Sequence, residues 1–222
     1  MPDQTNQQHW ETIYQTKQPD QVSWTQTVPT TSLGFIRQFS LPKSARIIDI
    51  GGGDSTLVDY LLDAGYEQLT VLDISEAALN RAKNRLGHRA ELVQWIVSDI
   101  TDYAPTQPFD LWHDRAAFHF LTTPDQISRY LTIARDGVQP DGYVTIGTFS
   151  ENGPDKCSGL PIRQYSEQTL STVLAQNFKK LTCVTEDHIT PFQTIQNFLF
   201  CSFQRLAMPD PVKANRLFNG DR

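Results

Sequence analysis

The chain has 222 residues, 39% hydrophobic and 10% aromatic, with 12 Gly, 13 Pro and a formal net charge of −6. That is enough length and apolar content for one well-buried globular domain, which excludes a disordered chain. The acidic balance and the lack of a long Lys/Arg run argue against a nucleic-acid partner, and no apolar stretch approaches the ~20 residues that span a bilayer.

The N-terminus, MPDQTNQQHW, has neither the basic flank nor the apolar core of a signal peptide. Cys157, Cys183 and Cys201 are odd in number and lack CxxC spacing. Reduced thiols and a cytoplasmic location are therefore expected. Residues 1–32 are polar, rich in Gln and Thr, and punctuated by Trp10, Tyr14 and Trp24. They read as an ordered arm or one or two short helices packed on the rest, with a short helix over 33–39.

Residues 46–55, Arg-Ile-Ile-Asp-Ile-Gly-Gly-Gly-Asp-Ser, organise the rest of the chain. A β-branched apolar run predicts a strand buried on both faces, and the glycines predict a sharp turn open to a ligand. Leu57/Leu61 and Val58/Leu62 then pair at i,i+4, so a helix starts just after the turn. Residues 69–73 form a second buried strand ending in Asp73. Ser75 caps the next helix, with Ile74 and Leu79 at the staple positions and Gly87 at its end. Residues 92–97 and 109–113 are the third and fourth strands. Thr123-Pro124-Asp125-Gln126 is a capping box opening a helix that Gly137 closes. A Pro140-Asp141-Gly142 turn leads to a fifth strand over 143–149.

Five strands alternating with helices predict an α/β, doubly wound, mostly parallel sheet with helices on both faces. A helix opens at Ser166. No helix-length segment then separates 180–186 from 197–204, so these runs should form an antiparallel hairpin on the sheet edge. The chain thus reads as a single domain, with an arm over 1–32, a core over 33–205 and a polar tail over 206–222.

Asp73 ends its strand 20 residues after Gly53, where an acid can accept two hydrogen bonds from a ribose diol. That does not distinguish NAD from S-adenosylmethionine (SAM). The motif Asp49-Ile50-Gly51-Gly52-Gly53-Asp54-Ser55 does more. It resembles the acid-x-G-x-G-x-[GS] motif of class I SAM-dependent methyltransferases, and the resemblance extends from about Trp10 to Gln204. NAD-binding proteins usually lack that acid and carry a glycine where Thr56 stands. The resemblance implies a seven-stranded Rossmann-like sheet of order 3-2-1-4-5-7-6 with an antiparallel last strand, and SAM as cofactor. It also implies that Asp49 and the Gly51, Gly52 and Gly53 backbone hold the methionine end. Asp73, with Ile74 beside it, would hold the ribose, Asp99 the adenine amino group and the Ile100 backbone the ring nitrogens.

For the acceptor, His113, Asp114, Arg115 and His119 fall within seven residues at the mouth of the fourth strand. His113 or Asp114 is the candidate to orient or deprotonate the acceptor, with His119 in the pocket wall. The loop 153–165 supplies Cys157 and Arg163, and Trp10 and Trp24 can lid the cofactor's sulfonium. No metal site is expected. The absence of [ND]-P-P-[YF] argues against a nucleobase substrate.

A small-molecule nucleophile, such as a thiol, is the expected acceptor. The run H-W-E-x-x-Y ending at Tyr14, with Trp24 beyond it, is also similar to a group of protein-lysine methyltransferases. That group usually carries acid-Lys-Gly where this chain has His-Asp-Arg. An NAD-dependent oxidoreductase and a SAM-binding module without turnover are the remaining readings.

Overall fold

The computed structural model describes residues 4–207; residues 208–222 of the expected polar tail lie outside them. The arm contains α1 (Gln4–Thr16) and is followed by α2 (Thr30–Gln38), which begins three residues earlier than its apolar pattern suggests. The core runs β1 (Arg46–Ile50), α3 (Leu57–Asp63), β2 (Gln68–Asp73), α4 (Glu76–Leu86), β3 (Val93–Val97), β4 (Phe109–Arg115), α5 (Pro124–Gly137) and β5 (Val138–Phe149). Then come two short strands, β6 (Lys156–Cys157) and β7 (Leu160–Pro161), followed by α6 (Glu167–Leu174), β8 (Phe178–Ile189) and β9 (Ile195–Arg205).

The main sheet is ordered β3-β2-β1-β4-β5-β9-β8, while β6 and β7 pair separately. Leaving out that small hairpin gives the expected 3-2-1-4-5-7-6 order. β1 to β5 pair in parallel, and β9 lies antiparallel to both β5 and β8. β5 starts five residues before the expected strand and carries the Pro140-Asp141-Gly142 turn within it, with Asp141 at φ +63°.

Successive strand residues feed opposite faces. Ile48, Ile50, Trp112, Val144 and Ile146 pack with Ile127, Tyr130 and Ala134 of α5 and Leu170 and Leu174 of α6. Ile47, Val71 and Leu111 pack with Leu33 and Ile36 of α2, Leu57, Val58 and Leu61 of α3, and Leu79 of α4. Trp112 is fully buried and donates its indole N–H to the Tyr130 hydroxyl at 2.9 Å. Truncating so large a core ring costs ~3–5 kcal/mol. The predicted caps form: Ser75 accepts from the Ala78 amide, and Thr123 and Gln126 complete a capping box on α5.

The cysteines depart from expectation. Cys183 and Cys201 face each other across β8 and β9 and are joined by a disulfide, with 4.1 Å between their Cα atoms. Only Cys157 keeps a free thiol. The partners lie 18 residues apart, and only the hairpin register sets them opposite; spacing alone does not show this. No helix among the described residues is long and apolar enough to cross a membrane.

Candidate active site

The carboxyl ends of β1, β2 and β4 open into one cleft of about 420 Å3, roofed by the arm. It lies where an open α/β sheet places its ligands. Asp49, Gly51, Gly52, Asp73, Ile74, Asp99 and Ile100 line it. Trp10, Trp24, His113, Arg115 and Cys157 line it too, together with Phe120, Leu121 and Gln126. Of the residues singled out from the sequence, Gly53, Asp114, His119 and Arg163 are not in the wall.

The glycine turn is built for close approach. Gly51 sits at φ +63°, and a Cβ there would lie 2.6 Å from the Ala117 methyl. A Cβ on Gly52 would come within 2.7 Å of both Asp49 Oδ2 and a Val71 methyl. The turn is tied down from outside by Arg85, which bonds the Asp54 and Ser55 carbonyls, each at 2.7 Å, while forking onto Asp59.

Asp73 accepts from the Ser75 amide at 2.8 Å, so it braces the start of α4 as well as facing the cleft. Burial, reinforced by the charges of Asp54 and Asp49, raises its carboxyl from 3.8 to about 7. Asp99 caps a short turn by accepting from the Thr101 amide and hydroxyl, both at 2.8 Å.

Asp49 is buried and held by His113, whose Nδ1 lies 2.7 Å from its Oδ1. A carboxylate can only accept here, so Nδ1 carries the proton. On the other side, Nε2 lies 2.8 Å from the Ser32 hydroxyl. Both ring nitrogens are therefore engaged, and the ring orients the acid rather than standing free as a base. Ser32 had no signal in the sequence: it lies 81 residues away in a polar stretch.

Asp114 differs from its expected role. It is fully buried; Oδ1 accepts from the Ala117 and Phe118 amides at 3.2 and 3.0 Å, and Oδ2 from the Tyr130 hydroxyl at 2.8 Å. Burial still raises it, to about 6. The group shapes the turn after β4 and anchors α5. His119 is also fully buried, stacked 4.6 Å from Phe149, with both ring nitrogens unpartnered. Burial, then the Arg115 charge, lowers it to about 3, so the ring is neutral at ordinary pH. Arg163 is exposed, with its guanidinium 5.2 Å from the Tyr165 ring centre. Cys157 reaches the cleft, but burial pushes its thiol up to about 11, which disfavours the nucleophilic thiolate.

The arm is fastened at several points. Glu11 accepts from the Ser75 hydroxyl at 2.8 Å and the Ala77 amide at 3.2 Å, placing a carboxylate at the N-terminus of α4. Burial alone would raise Glu11; these hydrogen bonds and one from Gln15 hold it below its usual value. His188, inside β8, bonds the Ser23 carbonyl at 2.7 Å, and Arg115 bonds the Trp24 carbonyl at 2.9 Å. The Trp10 ring meets Phe120 at 5.0 Å and Trp24 at 5.6 Å, edge to face. Glu11 lies inside the H-W-E-x-x-Y run, but its partners on α4 are visible only in the fold.

Residues 48–144 match a family model described as a methyltransferase domain. A malonyl-[acyl-carrier protein] O-methyltransferase of Anoxybacillus flavithermus is 32% identical over 124 residues, 54% of this chain and 47% of that protein. The chain thus spans about half the length of that relative. A 1,6-didemethyltoxoflavin-N1-methyltransferase of Burkholderia thailandensis, solved with S-adenosylhomocysteine (SAH), superposes with a TM-score of 0.66 at 19% identity. The match covers 91% of this chain and 85% of that one. A structure concerned with the conversion of a disulfide bond into a thioacetal group during echinomycin biosynthesis reaches a TM-score of 0.73 at 16% identity, covering 96% of this chain and 99% of that one. In its sheet order, its acid–glycine turn and these matches, the chain is similar to the class I SAM-dependent methyltransferases, whose fold the solved structures share.

Proposed function

We propose that the protein transfers a methyl group from SAM to a small-molecule nucleophile whose reactive form exists at neutral pH, a thiol or related soft nucleophile. The supporting observation is a cleft roofed by the arm and lined by buried acids, a glycine turn and aromatic rings. SAM, when bound, supplies an activated methyl whose leaving group needs no proton.

The chain's residues have the remaining tasks. Asp73 accepts from the ribose hydroxyls, and Asp49, held by His113, which Ser32 holds in turn, faces the cofactor's ammonium. Gly51, Gly52 and Gly53 let the backbone come close, while Asp99 and the Ile100 backbone serve the adenine. The Trp10, Tyr14, Trp24 and Phe120 rings exclude water and present π-faces to a cationic sulfur. Alignment inside a dry cleft is a large part of what methyl transfer requires.

An acceptor that needs no base is favoured because His113 is engaged on both nitrogens, and Asp114 and His119 lie outside the cleft wall. A small acceptor is favoured by the arm across the cleft and by the formal net charge of −6.

The test is a transfer assay with methyl-labelled SAM in a cell extract split by a small-pore filter. Label in the filtrate or headspace is the expected result. Label retained on a protein band replaces the small acceptor with a protein side chain. Tryptophan quenching by NADH but not by SAH would overturn the cofactor assignment.

A further inference from the structure

Arg115 ends β4 and lines the cleft, with its guanidinium 5.0 Å from the Phe198 ring centre. Nη1 is spent on the Trp24 carbonyl, whereas Nε and Nη2 are buried and unpartnered. These two N–H groups lie on one edge of the guanidinium plane, the fork that a carboxylate meets with both oxygens. Two other arginines show that edge satisfied. Arg85 sets Nε and Nη2 on Asp59 at 3.1 and 2.7 Å, and Arg135 sets them on Asp136 at 2.7 and 2.9 Å. Both of those forks are solvent-exposed, where water can also serve; Nε and Nη2 of Arg115 have no partner, in a half-buried residue of the cleft wall.

No neighbouring acid satisfies the edge. Glu186 acts most strongly on the Arg115 charge, yet no Asp or Glu among the described residues comes within 4.0 Å of that guanidinium. Glu186 Oε1 accepts from the Gln26 amide at 3.1 Å, and its Oε2 is buried and unpartnered, so Glu186 is the internal competitor for this edge. Cys157 is held as a neutral thiol. Burial lowers Arg115 to about 10, which leaves it cationic at neutral pH. A buried cation with an open fork is costly until an anion meets it. The rings of Trp10, Trp24 and Phe120 line the same cleft.

We propose that the Nε–Nη2 edge of Arg115 receives a carboxylate carried by the methyl acceptor, whose apolar body lies against Trp10, Trp24 and Phe120. That the carboxylate belongs to a methyl acceptor rests on the methyltransferase reading; the anion-binding edge does not. SAM also carries a carboxylate, so the experiment must separate the two sources.

The full chain is titrated with phenylacetate and with phenylacetamide, each with and without saturating SAH, following tryptophan fluorescence. SAH affinity is measured separately. The expected result is saturable quenching by the acid and binding of the amide at least about tenfold weaker, the value of one charge-assisted hydrogen bond. Arg115→Gln should lose about tenfold in acid affinity while SAH affinity stays within about twofold. Glu186→Gln should tighten the acid by removing a competing negative charge. Equal response to acid and amide, or no saturation at roughly 10 mM acid, overturns the proposal. So does a matching loss of SAH affinity in Arg115→Gln, which would assign the edge to the cofactor's own carboxylate. If Arg115→Gln does not fold, Glu186→Gln decides, and unchanged or weaker acid binding sinks the idea. If SAH does not bind the wild-type chain, the methyltransferase reading falls, while the titrations without SAH still score the edge.

Discussion

The two sides of the cleft are made in different ways. The side proposed for the cofactor comes from residues at strand ends: Asp49 to Gly53 across the end of β1, Asp73 closing β2 and Asp99 just after β3. Their places are set by backbone geometry and a parallel ladder. The side proposed for the acceptor is assembled from distant segments, with Trp10 and Trp24 from the arm, Arg115 at the end of β4, Phe120 beyond it, and Cys157 from the small hairpin. It is held by side-chain contacts such as Arg115 to the Trp24 carbonyl and His188 to the Ser23 carbonyl. Changes to the first side should therefore abolish binding, and changes to the second should tune it.

The largest expected effect is on the glycine turn. Gly52→Val places new atoms where Asp49 Oδ2 and Val71 already stand. SAH affinity should fall at least about 100-fold, the equivalent of ~2.7 kcal/mol, as read by isothermal titration. Gly51→Ala, at φ +63° and against the Ala117 methyl, should behave similarly. If either variant kept wild-type affinity, the cofactor side would not be the rigid half.

This contrast also explains which features are legible in the sequence. Strands, helices and caps are encoded within a few residues of one another, so periodicity and turn chemistry reach them, while the strand order follows from the family resemblance. The His113 contacts lie 64 and 81 residues away, and the Tyr130 hydroxyl that meets Asp114 lies 16 away. Nothing near Asp114 in the chain indicates that the Tyr130 hydroxyl and two amides will occupy its oxygens. The Cys183–Cys201 bridge is hidden in the same way, since it exists only once β8 and β9 are in register.

Proton binding gives the next largest effect. Burial raises Asp73 to about 7 and Asp114 to about 6, so the native state holds protons that the unfolded chain releases near 3.8. Stability of the cofactor-free protein should therefore fall as pH rises from about 4 to 7. At ~1.36 kcal/mol per pKa unit, the ceiling from Asp73 is about 4 kcal/mol. Asp73→Asn should flatten part of that fall in urea midpoints measured across this range. SAH should act in the opposite sense, because ribose hydroxyls bond the ionised carboxylate. Its affinity should rise by up to about tenfold between pH 6 and 8 in wild type and stay level in Asp73→Asn. A flat wild-type profile would remove Asp73 from the ribose role.

Loosening the roof should have a smaller, one-sided effect. Glu11→Ala removes the carboxylate that caps α4 and fastens the arm. A stability loss of ~1 kcal/mol is expected, with KM for the acceptor raised several-fold and kcat nearly unchanged. A fall in kcat without a change in KM would mean that the arm aligns the reacting groups rather than holding the acceptor.

The smallest effect should come from His119, and its sign is informative. The ring is buried against Phe149 with neither nitrogen hydrogen-bonded, a poor position for a polar group and a suitable one for an apolar ring. His119→Phe keeps the stack and removes the unpartnered nitrogens, so the protein should gain up to about 1 kcal/mol, read as a raised Tm. Methyl transfer and its pH profile should stay as in the wild type, because a ring lowered to about 3 neither takes nor gives a proton near neutrality. A loss of kcat with the fold intact would mean that one nitrogen meets a ligand once the cleft is filled. His119 would then join Arg115, its neighbour in charge, on the acceptor side.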